Sequence, residues 1–143
     1  MISVEQVSEV TDELVEAFER LIPHLSRSNS PPSRAELEEI VADPGNVVFV
    51  ARDDDGNIVG TLTLAMFRIP TAMRAWIEDV VADPAASGQG VGKALSHAAL
   101  TEARQRGAKT VELTSRPSRE AANHIYRSLG FQLRDTNVYR YEI

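Results

Sequence analysis

Residues 76–95, Trp-Ile-Glu-Asp-Val-Val-Ala-Asp-Pro-Ala-Ala-Ser-Gly-Gln-Gly-Val-Gly-Lys-Ala-Leu, constrain this chain more than any other stretch. An apolar, β-branched run stops at Asp83-Pro84. The glycines Gly88, Gly90 and Gly92 follow at every second position, and a helical pattern opens at Lys93. A strand, a glycine turn and a helix N-terminus in that order form a phosphate cradle. Glycine lets the backbone bend close to an anion, and the unpaired N–H groups of the first helical turn point at it. The helix dipole adds roughly half a positive charge at the same end. The segment therefore argues for a ligand that carries a pyrophosphate, although a plain glycine-rich turn between strand and helix also satisfies it. A P-loop is excluded, because Ser96 does not follow Lys93 directly. A dinucleotide fingerprint is disfavoured, because the glycine spacing is wrong and the chain ahead does not read as a first strand.

The rest of the chain sets the frame for that cradle. At 143 residues, 43% hydrophobic and 25% charged, it reads as one ordinary globular domain, residues 1–143. A formal charge of −6 argues against a broad nucleic-acid footprint and mildly favours neutral or cationic substrates. With no cysteine and three scattered histidines, neither a disulfide framework nor a metal constellation is expected. No apolar run approaches the roughly 20 residues that span a bilayer. Glu5 and Glu9 replace the basic start of a signal peptide, so a cytoplasmic protein is expected.

Periodicity predicts the elements. A short strand covers Ile2–Val4, and a helix with Leu14, Phe18, Leu21, Ile22 and Leu25 on one face covers Asp12–Leu25. After a Ser/Asn/Pro loop, Ser33 and Glu36 form a capping box for a second helix. Strands follow at Val47–Arg52 and Ile58–Ile69, joined at Asp53–Asn57. Pro70–Arg74 reads as a connection, Trp76–Ala82 as a strand and Gly90–Arg106 as a helix. Thr110–Thr114, Phe131–Arg134 and Val138–Ile143 complete the strands, with a helix at Arg119–Leu129 closed by Gly130. This is an α+β pattern on a mostly antiparallel sheet.

Two signatures then converge. The glycine segment resembles the acyl-CoA signature of the GNAT superfamily of N-acetyltransferases, with its positions falling on Ser87, Gly90 and Gly92. The glycines match. Ser87 stands where the family usually carries Arg or Gln, which removes a side-chain contact or loop brace and leaves the backbone cradle intact. The segment Ser118–Phe131 supplies the other hallmark of the same superfamily, on Ala122, Tyr126, Gly130 and Phe131. The resemblance covers about Val48 to Ile143. It implies the GNAT fold: a mixed, mostly antiparallel sheet of six to seven strands with a splayed parallel pair, flanked by about four helices. It also implies acetyl-CoA as cosubstrate, with no metal.

By the same resemblance, Trp76–Ala82 and Thr110–Thr114 are the splayed pair. The backbone of Val80, Val81 and Ala82 meets the pantetheine arm, and Ser87, Gly88, Gln89, Gly90, Val91, Gly92 and Lys93 hold the pyrophosphate. Tyr126 occupies the place of the family's tyrosine and is the candidate acid for the departing thiolate. Acetyl transfer also needs a neutral amine, hence a base. Alternation puts Trp76, Glu78 and Val80 on one face and Asp79 on the other, which makes Glu78 the candidate base. A bulge would exchange the faces and bring Asp79 forward in its place. Arg119, where many members carry Asn, and Asn123 share one helical face and are further cofactor-binding candidates, as is Arg116.

The expected activity is transfer of an acetyl group from acetyl-CoA to a primary amine of a small molecule, directly within a ternary complex. Acetylation of a protein N-terminus or lysine, and a non-catalytic CoA-binding regulatory domain, are the alternatives. The family builds the acceptor pocket from segments that correspond here to Leu25–Arg34, Phe67–Arg74 and Arg134–Arg140. They carry Arg27, Arg34, Arg68, Arg74, Arg134 and Arg140, which suits an acceptor bearing an acidic group or is simply surface charge. Neither a nucleic-acid nor a membrane partner is expected. The hairpin expected at Arg134–Arg140 is compatible with a homodimer.

Overall fold

The computed structural model describes all 143 residues. Five strands form one mixed sheet in sequence order: β1 (Ser3–Gln6), β2 (Asn46–Arg52), β3 (Ile58–Ile69), β4 (Ala72–Ala82) and β5 (Thr110–Glu112). The first four are antiparallel neighbours, and β5 lies parallel to β4. Helices α1 (Asp12–Leu25) and α2 (Arg34–Ala42) join β1 to β2, α3 (Val91–Gln105) joins β4 to β5, and α4 (Glu120–Ser128) follows β5.

The two sheet faces bury separate cores. Leu14, Phe18, Leu21 and Ile22 of α1 and Leu37 of α2 pack on Val48, Val50, Ile58 and Val81. Val91, Leu95, Ala99 and Ala103 of α3 pack on Val47, Phe49, Leu62, Leu64, Ala75 and Ile77 of the opposite face. Strand alternation accounts for this division: Val47 and Phe49 face α3, while Val48 and Val50 face α1 and α2. Helix starts follow their local signals. The Thr11 hydroxyl accepts the Leu14 N–H at 3.2 Å, and Ser33 with Glu36 forms the complete capping box.

Several sequence expectations need correction. β4 begins at Ala72 rather than Trp76, because β3 and β4 close a tight hairpin with Ile69 paired to Ala72. Pro70 sits in that turn, where its missing N–H is harmless. The sheet has five strands, not six to seven. Neither Phe131–Arg134 nor Val138–Ile143 is a strand, so the hairpin expected around Arg134–Arg140 is absent. Their alternation is real, but a strand also needs a ladder partner, and this segment pairs with no edge. Its Leu133, Tyr139 and Tyr141 are 91%, 88% and 88% exposed.

Candidate active site

The site forms where two parallel strands part. β4 and β5 pair only at Arg74–Thr110, Ala75–Val111 and Trp76–Glu112. Beyond that the ladder ends, while β4 continues to Ala82 against β3 alone. The side of β4 that faces β5 therefore carries free backbone groups from Ile77 onward. A cleft of about 180 Å³ fills the wedge, lined by Leu25, Glu78, Asp79, Ser115, Arg119 and Tyr126 among others.

A bulge shapes the wedge. The β3 register runs Thr61–Val81 and then Thr63–Glu78, so the strands slip between those pairs. Asp79 sits inside the slip at φ +49°, the one non-glycine residue with positive φ. Holding an aspartate there is strained, and such strain gathers at functional sites. The slip exchanges faces along β4: Ala75 and Ile77 belong to the α3-side core, whereas Val81 belongs to the α1-side core. Glu78 lies before the slip and stays on the strand face opposite Ala75 and Ile77. Glu78 and Asp79 both reach the cleft, so the bulge adds Asp79 without removing Glu78.

Burial raises the Glu78 carboxyl above the usual carboxylate range, and the neighbouring Asp79 charge pushes it further the same way. Burial also raises the Tyr126 phenol, with the Arg119 guanidinium pulling against it. The Tyr126 ring is fixed by an edge-on contact with Phe131, centroids 5.7 Å apart. A phenol and a carboxyl, each with its affinity for protons increased, thus line one cleft.

The glycine loop continues from β4. Asp83 caps a single 3₁₀ turn, Pro84–Ala86, by accepting the Ala85 N–H at 2.9 Å. Arg20 of α1 braces that turn, donating to Asp83 and to the Ile58 carbonyl, each at 2.8 Å. Gly88 and Gly90 then take φ of +83° and +79°, a region that costs an ordinary L-residue about 1–2 kcal/mol. Gly90 is the N-cap of α3 without a side-chain cap. The first bond of the helix runs from Ala94 N–H to the Gly90 carbonyl at 3.0 Å, so the amides of Val91, Gly92 and Lys93 have no backbone acceptor. Those free donors, with exposed Ser87, Gly88, Gln89 and Lys93 around them, fit an anionic pyrophosphate.

The remaining candidates separate. Arg119 lines the cleft. Asn123 does not offer its amide to the cleft: Nδ2 donates to the Arg119 and Arg116 carbonyls at 2.8 and 3.0 Å, and lies 3.3 Å from the Ser115 hydroxyl. It holds the loop between β5 and α4. Arg116 takes part through its carbonyl, and its side chain does not line the cleft. Among the expected acceptor arginines, Arg34 pairs with Asp12 and Arg134 with Glu112. Leu25, at the start of the expected acceptor segment Leu25–Arg34, does line the cleft. Sequence reasoning missed the Arg20–Asp83 brace, which joins residues 63 apart and had no local signal. No group of three or more His, Asp or Glu residues comes together to hold a metal.

A parallel pair that parts over a cleft and a glycine loop at a helix start make up the α+β arrangement that the GNAT resemblance implies. The chain belongs to the acetyltransferase (GNAT) family, whose model matches residues 8–131. A mycothiol acetyltransferase of Propionibacterium freudenreichii subsp. shermanii is 27% identical over 116 residues, which are 81% of this chain and 37% of that protein. The chain thus spans little more than a third of that curated relative. The crystal structure of a Trypanosoma brucei acetyltransferase superposes with a TM-score of 0.79 at 28% identity over the full length of both chains. An aminoglycoside acetyltransferase from an uncultured soil metagenomic sample, in complex with sisomicin, shares the fold with a TM-score of 0.84 at 23% identity, over 99% of this chain and 95% of that one.

Proposed function

We propose that this chain is a single-domain N-acetyltransferase that moves an acetyl group from acetyl-CoA directly to the primary amine of a small molecule. The observation that carries the reading is one cleft, opened by the parting of β4 and β5, into which Glu78 and Tyr126 both project. The free backbone of Val80, Val81 and Ala82 is the edge for the pantetheine arm, and the amides at the start of α3 are the seat of the pyrophosphate. Arg119, with no carboxylate partner among the ion pairs, supplies charge to the cofactor or the acceptor. A cleft of about 180 Å³ suits a thioester end and a compact amine. The relative named for mycothiol acetylation also points to a small acceptor. No helix is long and apolar enough to cross a membrane, and we place the protein in the cytoplasm with its cosubstrate.

In this mechanism Glu78 takes a proton from the acceptor ammonium, directly or through one water, because only the neutral amine has a lone pair. The nitrogen attacks the thioester carbonyl, and backbone N–H groups on the free side of β4 meet the oxyanion. The attack forms the C–N bond; collapse of the tetrahedral intermediate breaks the C–S bond as Tyr126 donates its proton to the leaving thiolate, and the second proton that the attacking nitrogen sheds restores the Tyr126 phenol. The proton balance sets the pH profile. Activity rises with pH as Glu78 loses its proton, above the range where an ordinary glutamate titrates, and Glu78→Gln removes that limb.

The test is release of free CoA from acetyl-CoA, followed with a thiol reagent across a panel of small amines, amino acids and peptides. The chain has no cysteine, so it adds no thiol signal of its own. Release that depends on small amines supports the reading, and release with peptides alone overturns the acceptor class. Thermal stabilisation by acetyl-CoA without any release would make the chain a binding domain.

A further inference from the structure

We infer that Arg20 is a positioning residue for the cofactor: acting through Asp83, it holds the glycine loop so that the free amides of Val91, Gly92 and Lys93 already face the place of a pyrophosphate. The inference rests on the proposed reading of those amides as the pyrophosphate seat.

The loop needs a hold from outside because little within it supplies one. Gly88 and Gly90 both sit at positive φ, and glycine gives up more backbone freedom than any other residue when it is fixed. Ser87, Gly88, Gln89 and Gly90 are exposed, and the side chains from Ser87 to Lys93 make no hydrogen bond within the protein. What remains is the backbone of one turn, in which the Ala86, Ser87 and Gln89 N–H groups donate to the Asp83, Pro84 and Ala86 carbonyls at 2.9, 3.1 and 3.2 Å.

The two ends of the loop are seated differently. Its exit is held by packing: Val91 is buried, so close over Gly60 that a Cβ there would lie 2.5 Å from Val91 Cγ1. Its entry depends on Asp83. The Asp83 N–H donates to the Val59 carbonyl at 2.7 Å. One carboxylate oxygen accepts the Ala85 N–H at 2.9 Å, and the other accepts from Arg20 at 2.8 Å. The second terminal nitrogen of Arg20 donates to the Ile58 carbonyl, also at 2.8 Å. A planar fork that meets a carboxylate and a carbonyl together fixes direction as well as distance, which a lysine ammonium does not. The helix behind it is firm, since Leu21 and Ile22 of α1 pack with Ile58 of β3 and Val81 of β4. Arg20 thus ties α1 and β3 to the entry of the loop at one point. A loop fixed before the cofactor arrives lowers the ordering cost of binding.

Isothermal titration of CoA into the full chain is the test, beside turnover with acetyl-CoA and with S-acetylpantetheine, which carries the same thioester and no pyrophosphate. The Arg20 and Asp83 side chains are 47% and 21% exposed, so the effect is moderate. Arg20→Ala should weaken CoA binding roughly three- to tenfold. It should raise the KM for acetyl-CoA, leave kcat in place and leave the kinetics with S-acetylpantetheine unchanged. Asp83→Asn keeps an oxygen for the Ala85 N–H and should weaken CoA binding as much, with no further loss in the double variant, because the two residues act as one unit. Arg20→Lys should recover part of the loss. Equal damage with both acyl donors would mean a general loss of structure and overturns the inference. So does normal CoA binding by Asp83→Asn beside weakened binding by Arg20→Ala, since Arg20 would then meet the phosphate directly. If the parent binds CoA and Arg20→Ala binds it equally well, the inference alone falls. A parent chain that binds no CoA overturns the pyrophosphate seat and the inference with it.

Discussion

The two halves of this molecule are built to different standards of packing. From β1 through α3, both sheet faces are filled, and Leu21, Leu37, Leu62, Leu64 and Leu95 are wholly excluded from solvent. From β5 onward the chain is thin. β5 has three residues, α4 has no buried residue, and the last segment lies outside the sheet. The cleft lies on the seam, with Glu78 and Asp79 from the dense half and Arg119 and Tyr126 from the sparse half. A rigid wall that carries the proposed base faces a lightly held helix that carries the proposed acid, an arrangement suited to a site that admits and releases a long cofactor.

The largest effect should come from the sparse half and fall on chemistry alone. Tyr126→Phe removes the proton donor and keeps the ring against Phe131. Turnover should drop by about two to four decades, the usual span for one general acid, while acetyl-CoA binding and thermal stability stay close to those of the parent. Steady-state kinetics alongside isothermal titration would read both. A collapse of binding would make Tyr126 a structural residue and blur the division between the halves.

Next comes a cut in the dense half. Leu64→Ala empties a wholly buried site between the sheet and α3 and should cost about 2–5 kcal/mol in denaturant unfolding. Ile125→Ala in α4, at a half-buried position, should cost less than roughly half as much, because less apolar area leaves the solvent-free interior. Equal losses would show that α4 is as firmly held as the core.

Gly90→Ala sits between these extremes. A methyl group there meets no atom within 4 Å, so the change is purely a matter of φ at +79°. It should cost about 1–2 kcal/mol and raise the KM for acetyl-CoA more than it lowers kcat, since the cradle binds ground and transition states alike. Gly60 makes the useful contrast, because its added methyl would lie 2.5 Å from Val91 Cγ1, under the start of α3. Gly60→Ala should damage packing and leave the cradle amides intact.

The same contrast separates what the sequence carried from what it did not. α1 and β3 fall on the residues that periodicity assigns, and the Ser33–Glu36 capping box is present, because each is decided by neighbours in the chain. Glu78 and Tyr126, which both line the cleft, were singled out by local signals, one as an acid in an apolar strand and the other by its place before Gly130-Phe131. The C-terminal segment was misread: alternation at Tyr139, Tyr141 and Ile143 predicts a strand face, but no strand forms there because the segment meets no sheet edge. The role of Asn123 was not legible either, since its bonds to the Arg116 and Arg119 carbonyls exist only once the loop has closed over it.

Glu78 offers the smallest expected effect and the sharpest sign. Burial and Asp79 raise its folded-state pKa above that of the unfolded chain. Between the two pKa values the folded protein therefore holds more protons at this group than the unfolded one does. Stability must fall as pH rises through that window, and the loss is complete above it. At neutral pH the ionised Glu78 is a liability to the fold, kept beside an aspartate that is itself in strained backbone. Glu78→Gln should then raise Tm slightly at pH 7–8 and leave it unchanged below about pH 3, where the parent is protonated in both states. The same substitution should depress turnover, so stability and activity would move in opposite directions. If Tm instead fell at pH 7–8, Glu78 would be an ion-pair partner in the cleft, which Arg119 also lines, and the base would have to be sought at Asp79.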